Sequence, residues 1–217
     1  MFQIRIHGRG GQGVVTAAEL LSLAAFADGK HAQAFPSFGS ERTGAPVTSF
    51  CRVDDREIRT REPVVAPDAL VVQDATLLHH VDVFAGLRPE GYVLINSARP
   101  FAELGLEEWA RAFRAERLRC VPASDIAREH PGARPNAALL GGLAALTGVV
   151  TLDSLIGAIE QRFGGRGRAG PNAQAARVCF ERVSPPPLQA PSGARRTFAN
   201  GGPARARARA RGTPSNA

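Results

Sequence analysis

The stretch Phe2-Gln-Ile-Arg-Ile-His7, then Gly8-Arg-Gly-Gly-Gln-Gly13, then Val14-Val-Thr-Ala-Ala-Glu-Leu-Leu-Ser-Leu-Ala-Ala-Phe26 decides the fold. The first part reads as a short strand and the last as a helix, apolar except for a narrow stripe of Thr16, Glu19 and Ser22. The glycines between them have assigned tasks: a sharp turn at Gly8, close approach of backbone to an anion at Gly10 and Gly11, and packing of the helix start at Gly13. The free N–H groups of the first helical turn, beside Gln12, then face that anion. The spacing fits a G-x-G-x-x-G dinucleotide fingerprint, and it also fits a tight βα turn that binds nothing.

The second strand separates these possibilities in part. A nicotinamide site needs an acid at that strand's tip, about 20 residues on, to hold the ribose hydroxyls. Here the strand reads His31-Ala-Gln-Ala-Phe35 and ends in Pro36-Ser37, while Asp28 precedes it and so belongs to the wrong end of the sheet. A kinase-type P-loop is excluded too, because no Gly-Lys-Ser/Thr follows the glycines. An anion site remains without its dinucleotide partner.

Working outward, Pro46–Val53 is β-rich and meets the acidic pair Asp54-Asp55 and then Arg56-Glu-Ile-Arg59, which suggests a hairpin. Ala69–Gln73 and Tyr92–Ile95 are short continuous apolar runs, as in central parallel strands covered on both faces. Leu106, Trp109, Ala110 and Phe113 share a helical face, Leu118–Val121 reads as a strand, and Ser124–Glu129 as a short helix. Asn136 can cap Ala137–Leu146, Thr151 can cap a helix bearing Leu152, Leu155, Ile156, Ile159 and Phe163, and a last helix runs from Asn172 to about Arg182. Together these predict an α/β fold: a three-layer Rossmann-like domain over residues 1–183, with a mostly parallel sheet and a side β-hairpin.

Residues 184–217 differ in kind. Pro, Ala, Gly, Ser and Arg dominate, so a disordered tail is expected there. Its six arginines supply six of the seven net positive charges of the 217-residue chain, leaving the body at +1. The run Ala204–Arg211 interleaves its arginines with alanine alone and carries no signature of specific nucleic-acid reading. Cys51, Cys120 and Cys179 form no C-x-x-C pair, which excludes the usual iron–sulfur and zinc spacings within this chain. The five histidines are scattered, so neither a metal ligand set nor a catalytic group is assigned. No signal-peptide pattern and no run of about 18 apolar residues is present, and a cytoplasmic protein with no membrane partner is the expectation.

In an open sheet of this type ligands bind beyond the carboxyl ends of the strands. The glycine loop lies there, with Asp74, Asn96-Ser97 and the long loop Phe35–Pro46, which carries Ser40, Glu41 and Arg42. Asp74 and Asn96 serve equally well as caps or braces.

Three of these segments carry a resemblance: Gly8-Arg-Gly-Gly-Gln-Gly-Val-Val-Thr-Ala17, Ala34-Phe-Pro-Ser-Phe-Gly-Ser-Glu-Arg-Thr-Gly-Ala-Pro-Val47 and Asn136-Ala-Ala-Leu-Leu-Gly-Gly-Leu143. In this order they resemble the gamma subunit of pyruvate:ferredoxin and related 2-oxoacid:acceptor oxidoreductases, over residues 2–183. Relatives often carry Arg-Arg-Gly or Arg-Gly-Gly where this chain has Arg42-Thr43-Gly44, and Asn-Thr where it has Asn136-Ala137. The resemblance implies a subunit that is not catalytic alone. It assists assembly and encloses the active site and coenzyme A, with contacts from Gly8, Gly10, Gly11, Gln12, Gly13, Ser40, Glu41, Arg42 and Asn136. Thiamine diphosphate, Mg2+ and iron–sulfur clusters are then expected on partner alpha, beta and ferredoxin-like subunits, and ferredoxin or another acceptor takes the electrons. The alternatives are a free-standing CoA- or nucleotide-binding Rossmann-like protein and a nucleic-acid-associated protein acting through its tail.

Overall fold

A computed structural model describes residues 1–37 and 43–184. The chain forms β1 (Phe2–Arg9), α1 (Val14–Ala27), β2 (His31–Pro36), β3 (Pro46–Asp54), β4 (Ala69–Val72), β5 (Tyr92–Asn96), α2 (Glu107–Ala110), β6 (Leu118–Val121), α3 (Ala123–Glu129), α4 (Pro135–Thr147), α5 (Leu152–Phe163) and α6 (Ala169–Val183). One six-stranded sheet has the order β2-β3-β1-β4-β5-β6. Neighbours β1, β4, β5 and β6 are parallel, whereas β3 lies antiparallel between β1 and β2. All strands but β3 therefore point one way, and their carboxyl ends share a rim. The expected tail falls outside the described residues.

Strand alternation sorts the core onto two faces. Ile4, Ile6, Val71 and Leu94 point to one side and pack with Leu20 and Leu21 of α1, Leu139 and Leu140 of α4 and Ile159 of α5. Leu70, Val72, Val93 and Ile95 point to the other, against Leu77, Val83 and Leu104. That second layer is thin, made of short turns and α2. The helix expected through Phe113 is only the one turn Glu107–Ala110, where the chain bends so that Trp109 stacks on Phe84 at 4.0 Å and meets Phe113 in a tilted pair at 4.5 Å. No helix of the described residues is long and apolar enough to cross a membrane.

Two expectations about local structure are corrected. The antiparallel hairpin is built from β2 and β3, joined by the long loop, and Arg56–Arg59 forms no strand. Both edges of β3 are already bonded, to β1 and to β2, so no edge is left for a partner after Asp54. Asp54 instead turns the chain by accepting from the Arg56 N–H at 3.1 Å and pairing with the terminal amine at 2.9 Å. Gly8 is likewise no turn residue: it lies within β1, paired with Val47. A Cβ there would come within 2.6 Å of Val14, so Gly8 allows the α1 start to press on the strand.

Glycine also explains the motif in α4. A Cβ on Gly141 would lie 2.0 Å from the Ala176 carbonyl oxygen, so α4 and α6 meet backbone to backbone at this point.

Candidate functional site

The loop from Gly10 to Gly13 is shaped by its neighbours. Gly11 and Gly13 adopt φ of 90° and 74°, a region that residues with a side chain rarely enter. Gly10 is engaged by protein: its N–H donates to Ala45 O at 2.9 Å and its carbonyl accepts from the Gly44 N–H at 3.2 Å. That pairing fixes the far end of the Phe35–Pro46 loop beside the glycines. Ser40, Glu41 and Arg42 in the same loop lie outside the described residues. Gln12 accepts from the Arg9 N–H at 2.8 Å and donates to Asp74 at 2.9 Å, while Arg9 Nε reaches the same carboxylate at 3.1 Å. Burial would raise the Asp74 pKa, but hydrogen bonds from Thr76 and Gln12 and the Arg9 charge hold it below the ordinary carboxylate range. Asp74 is thus a brace for the loop, and it also caps the turn at Thr76. Asn96 is a brace as well, bonded to the Gln73 carbonyl and to Ser124.

Asp28 sits at the other end of α1, where Thr151 and Ser154 donate to it at 2.6–2.7 Å and join α1 to the start of α5. Thr151 in turn caps α5, accepting from the Ser154 N–H. As its place in the sequence indicates, Asp28 is remote from the glycines.

Asn136 does not cap α4; Arg134 is the capping residue and Pro135 opens the helix. Instead the buried Asn136 carboxamide donates to the Gly13 carbonyl at 3.0 Å and accepts from the Ala137 N–H at 2.9 Å. A Cβ on Gly13 would lie 2.5 Å from Asn136 Nδ2, so the two residues require each other. A second buried asparagine repeats the device: Asn172 accepts from the Arg134 N–H at 2.8 Å and donates to the Arg168 carbonyl at 2.7 Å. Arg134 and Arg168 escaped the sequence reading, although each directly precedes a helix start, which is the one signal that could have found them.

The two asparagine staples bring three helix starts together. A cavity of about 190 Å³ is lined by Gly11, Gln12 and Gly13 of the loop, Thr16 of α1, Arg134 and Asn136 at the head of α4, Phe163 of α5 and Arg168 at the head of α6. Among the described residues nothing accepts from the N–H groups of Gly13, Val14, Val15 and Thr16, and no carboxylate pairs with Arg134 or Arg168. Each helix start carries about half a positive charge, and the two guanidinium groups add a full charge each. The arrangement suits an anion of more than one charge, such as a phosphate or pyrophosphate. No cysteine lines this cavity, and elsewhere in the fold burial pushes the thiols of Cys51 and Cys179 up to about 12 and that of Cys120 to about 11. Among the described residues no group of three His, Cys, Asp or Glu side chains comes together as a metal would require.

Fold and site together define a three-layer α/β domain of the dinucleotide-fold type, with an electropositive cavity at the carboxyl rim of its sheet and without the acid that reads a ribose. The chain belongs to the pyruvate ferredoxin/flavodoxin oxidoreductase family, whose description matches residues 3–182. It is 46% identical over 184 residues to the pyruvate/ketoisovalerate oxidoreductases common subunit gamma of Pyrococcus abyssi, covering 84% of this chain and 97% of that one. The crystal structure of pyruvate oxidoreductase subunit PORC from Thermotoga maritima superposes with a TM-score of 0.68 at 36% identity, over 83% of this chain and 95% of that one. The 2-oxoglutarate:ferredoxin oxidoreductase of Magnetococcus marinus, solved with 2-oxoglutarate, coenzyme A and succinyl-CoA, shares the fold at 17% identity and a TM-score of 0.62, over 83% of this chain and 31% of that one. The chain is therefore a gamma-type member of the family, as its three motifs indicate.

Proposed function

We propose that this chain is the coenzyme A-facing gamma subunit of an enzyme that oxidatively decarboxylates a 2-oxo acid to the acyl-CoA. The observation that carries this reading is the convergence of three helix starts with Arg134 and Arg168 on one cavity. Coenzyme A brings a pyrophosphate, the anion such a site fits. Gly11 and Gly13 offer backbone to it, Asn136 fixes Gly13, and Gln12 holds the loop against Asp74. Ser40, Glu41 and Arg42 are assigned coenzyme contacts in this proposal, and the pairing of Gly44 and Ala45 with Gly10 supports that assignment. Thiamine diphosphate, magnesium and iron–sulfur clusters, bound by alpha, beta and ferredoxin-like partner subunits, supply decarboxylation and electron transfer to ferredoxin or another acceptor.

The test is reconstitution of the chain with candidate partner subunits, followed by 2-oxo acid- and CoA-dependent reduction of a dye. Pyruvate is the first substrate to assay. Arg134→Gln is expected to raise the KM for CoA about tenfold, the loss of one charge-assisted contact, and Gly11→Val, which puts a side chain where backbone faces the ligand, to raise it as well, with decarboxylation largely intact. A chain that stays monomeric with these partners and binds a nucleotide tightly by itself would refute the assignment.

A further inference from the structure

β1 ends in Arg9, whose side chain ties together segments that meet only in the fold. Its Nε donates to Asp74 at 3.1 Å, Nη1 to the Gly44 carbonyl at 3.1 Å and Nη2 to Thr76 Oγ1 at 2.8 Å. These partners stand 35 to 67 residues away along the chain. Every nitrogen of the guanidinium group thus has a protein acceptor.

The acceptors are fixed in their turn. Asp74 also accepts from Gln12 Nε2 at 2.9 Å and from the Thr76 hydroxyl at 2.6 Å, while the Gln12 carboxamide accepts from the Arg9 N–H. Gly44, at φ of 84°, donates its N–H to the Gly10 carbonyl and accepts at its own carbonyl from Arg9, so consecutive residues hold both its polar groups. The side chains of Arg9 and Asp74 are 26% and 17% exposed, and solvent screens them less than an ion pair on the surface. A planar fork reaches three acceptors in three directions at once, which the single ammonium of a lysine does not.

We propose that Arg9 is a positioning residue: it clamps the Gly44 end of the Phe35–Pro46 loop to the glycine turn and to the turn at Asp74–Thr76, so that the three move as one body. Without it, only the two backbone bonds between Gly10 and residues 44 and 45 oppose the entropy of that loop. Arg9 also lines a groove of about 260 Å³ beside Val14 and Val47. With its guanidinium spent on three protein acceptors, it acts on a ligand there through the loops it holds. The effect on coenzyme binding rests on the coenzyme A reading given above, whereas the clamp itself does not.

Hydrogen exchange of the full chain reads the clamp without any coenzyme. Arg9→Gln and Arg9→Lys are both expected to speed exchange at the Gly10 and Gly44 N–H groups about tenfold, the loss of one charge-assisted bond, while the amides of β4 and β5 keep their protection. In the reconstituted complex both variants should raise the KM for coenzyme A more than they lower kcat. Asp74→Asn should act likewise, and combining it with Arg9→Gln should add little, because the two residues work as one unit. A direct ligand contact predicts another pattern, in which Arg9→Lys restores KM by its charge and Asp74→Asn lowers KM by freeing the guanidinium; that pattern overturns the proposal. So does unchanged exchange at Gly44 in Arg9→Gln, or a KM that Arg134→Gln raises and Arg9→Gln does not. If exchange quickens but neither variant moves the KM for coenzyme A, the clamp stands and the coenzyme A reading itself fails.

Discussion

His7 shows how far a side chain's role depends on what covers it. In sequence it is one of five scattered histidines; in the fold it is buried on β1, accepting at Nε2 from Arg5 Nε at 3.0 Å. Because an arginine N–H can only donate, the imidazole must keep Nε2 unprotonated and carry its proton on Nδ1, 3.3 Å from Thr48 Oγ1. Burial first, and the Arg5 charge second, push the His7 pKa from 6.5 down to about 4. The unfolded chain therefore binds the extra proton over that window and the folded chain does not. Stability from His7 is fully present above pH 6.5 and is lost as the pH falls towards 4, by roughly 3 kcal/mol in all. Urea unfolding between pH 7 and 4.5 should show this slope, and His7→Gln should flatten it while lowering stability at pH 7. An unchanged slope in the variant would assign the acid sensitivity to other groups. The same residue-scale dependence governs Asn136, which reads as a helix cap in sequence but bonds the carbonyl of Gly13 from far along the chain.

Helices and strands were mostly legible, and the misreadings have physical causes. The continuous apolar runs of β4 and β5 identified central parallel strands because burial on both faces removes any alternation. Sequence alone places the hairpin one strand too late, since an acidic turn after a β-rich run looks alike whether or not that strand's edges are already taken. The Gly141-Gly142 pair looked like a motif without a stated task, and the α4–α6 contact supplies one. Gly141→Ala is expected to force the two helices apart and cost about 1–3 kcal/mol, lowering the melting temperature by several degrees. Gly157 in α5 is the matched control, because a Cβ there would meet nothing within 4 Å. Gly157→Ala should stabilise the protein by about 0.5–1 kcal/mol through helix propensity alone. Thermal unfolding of both variants checks the pair, and equal effects would contradict the close approach.

At the scale of the molecule, the family match ends at residue 182 and α6 ends at Val183, with Ser184 bonding back to Phe180. A chain ending after Ser184 keeps the last core residue and its cap. It should assemble with its partners, melt at the same temperature and show the same KM for CoA; loss of the complex on size-exclusion chromatography would give the tail a role. The β1–glycine–α1 opening, the central parallel runs of β4 and β5, the absence of an acid at the β2 tip and the family resemblance were all determined by the sequence, because each is written in local spacing and residue type. The position of β3 between β1 and β2, and the cavity where Gly13, Arg134 and Arg168 meet, were decided only by tertiary structure. Strand pairing and the convergence of helix starts depend on contacts between residues far apart along the chain, here the α4–α6 approach at Gly141 and the two asparagine staples, and no local pattern records them.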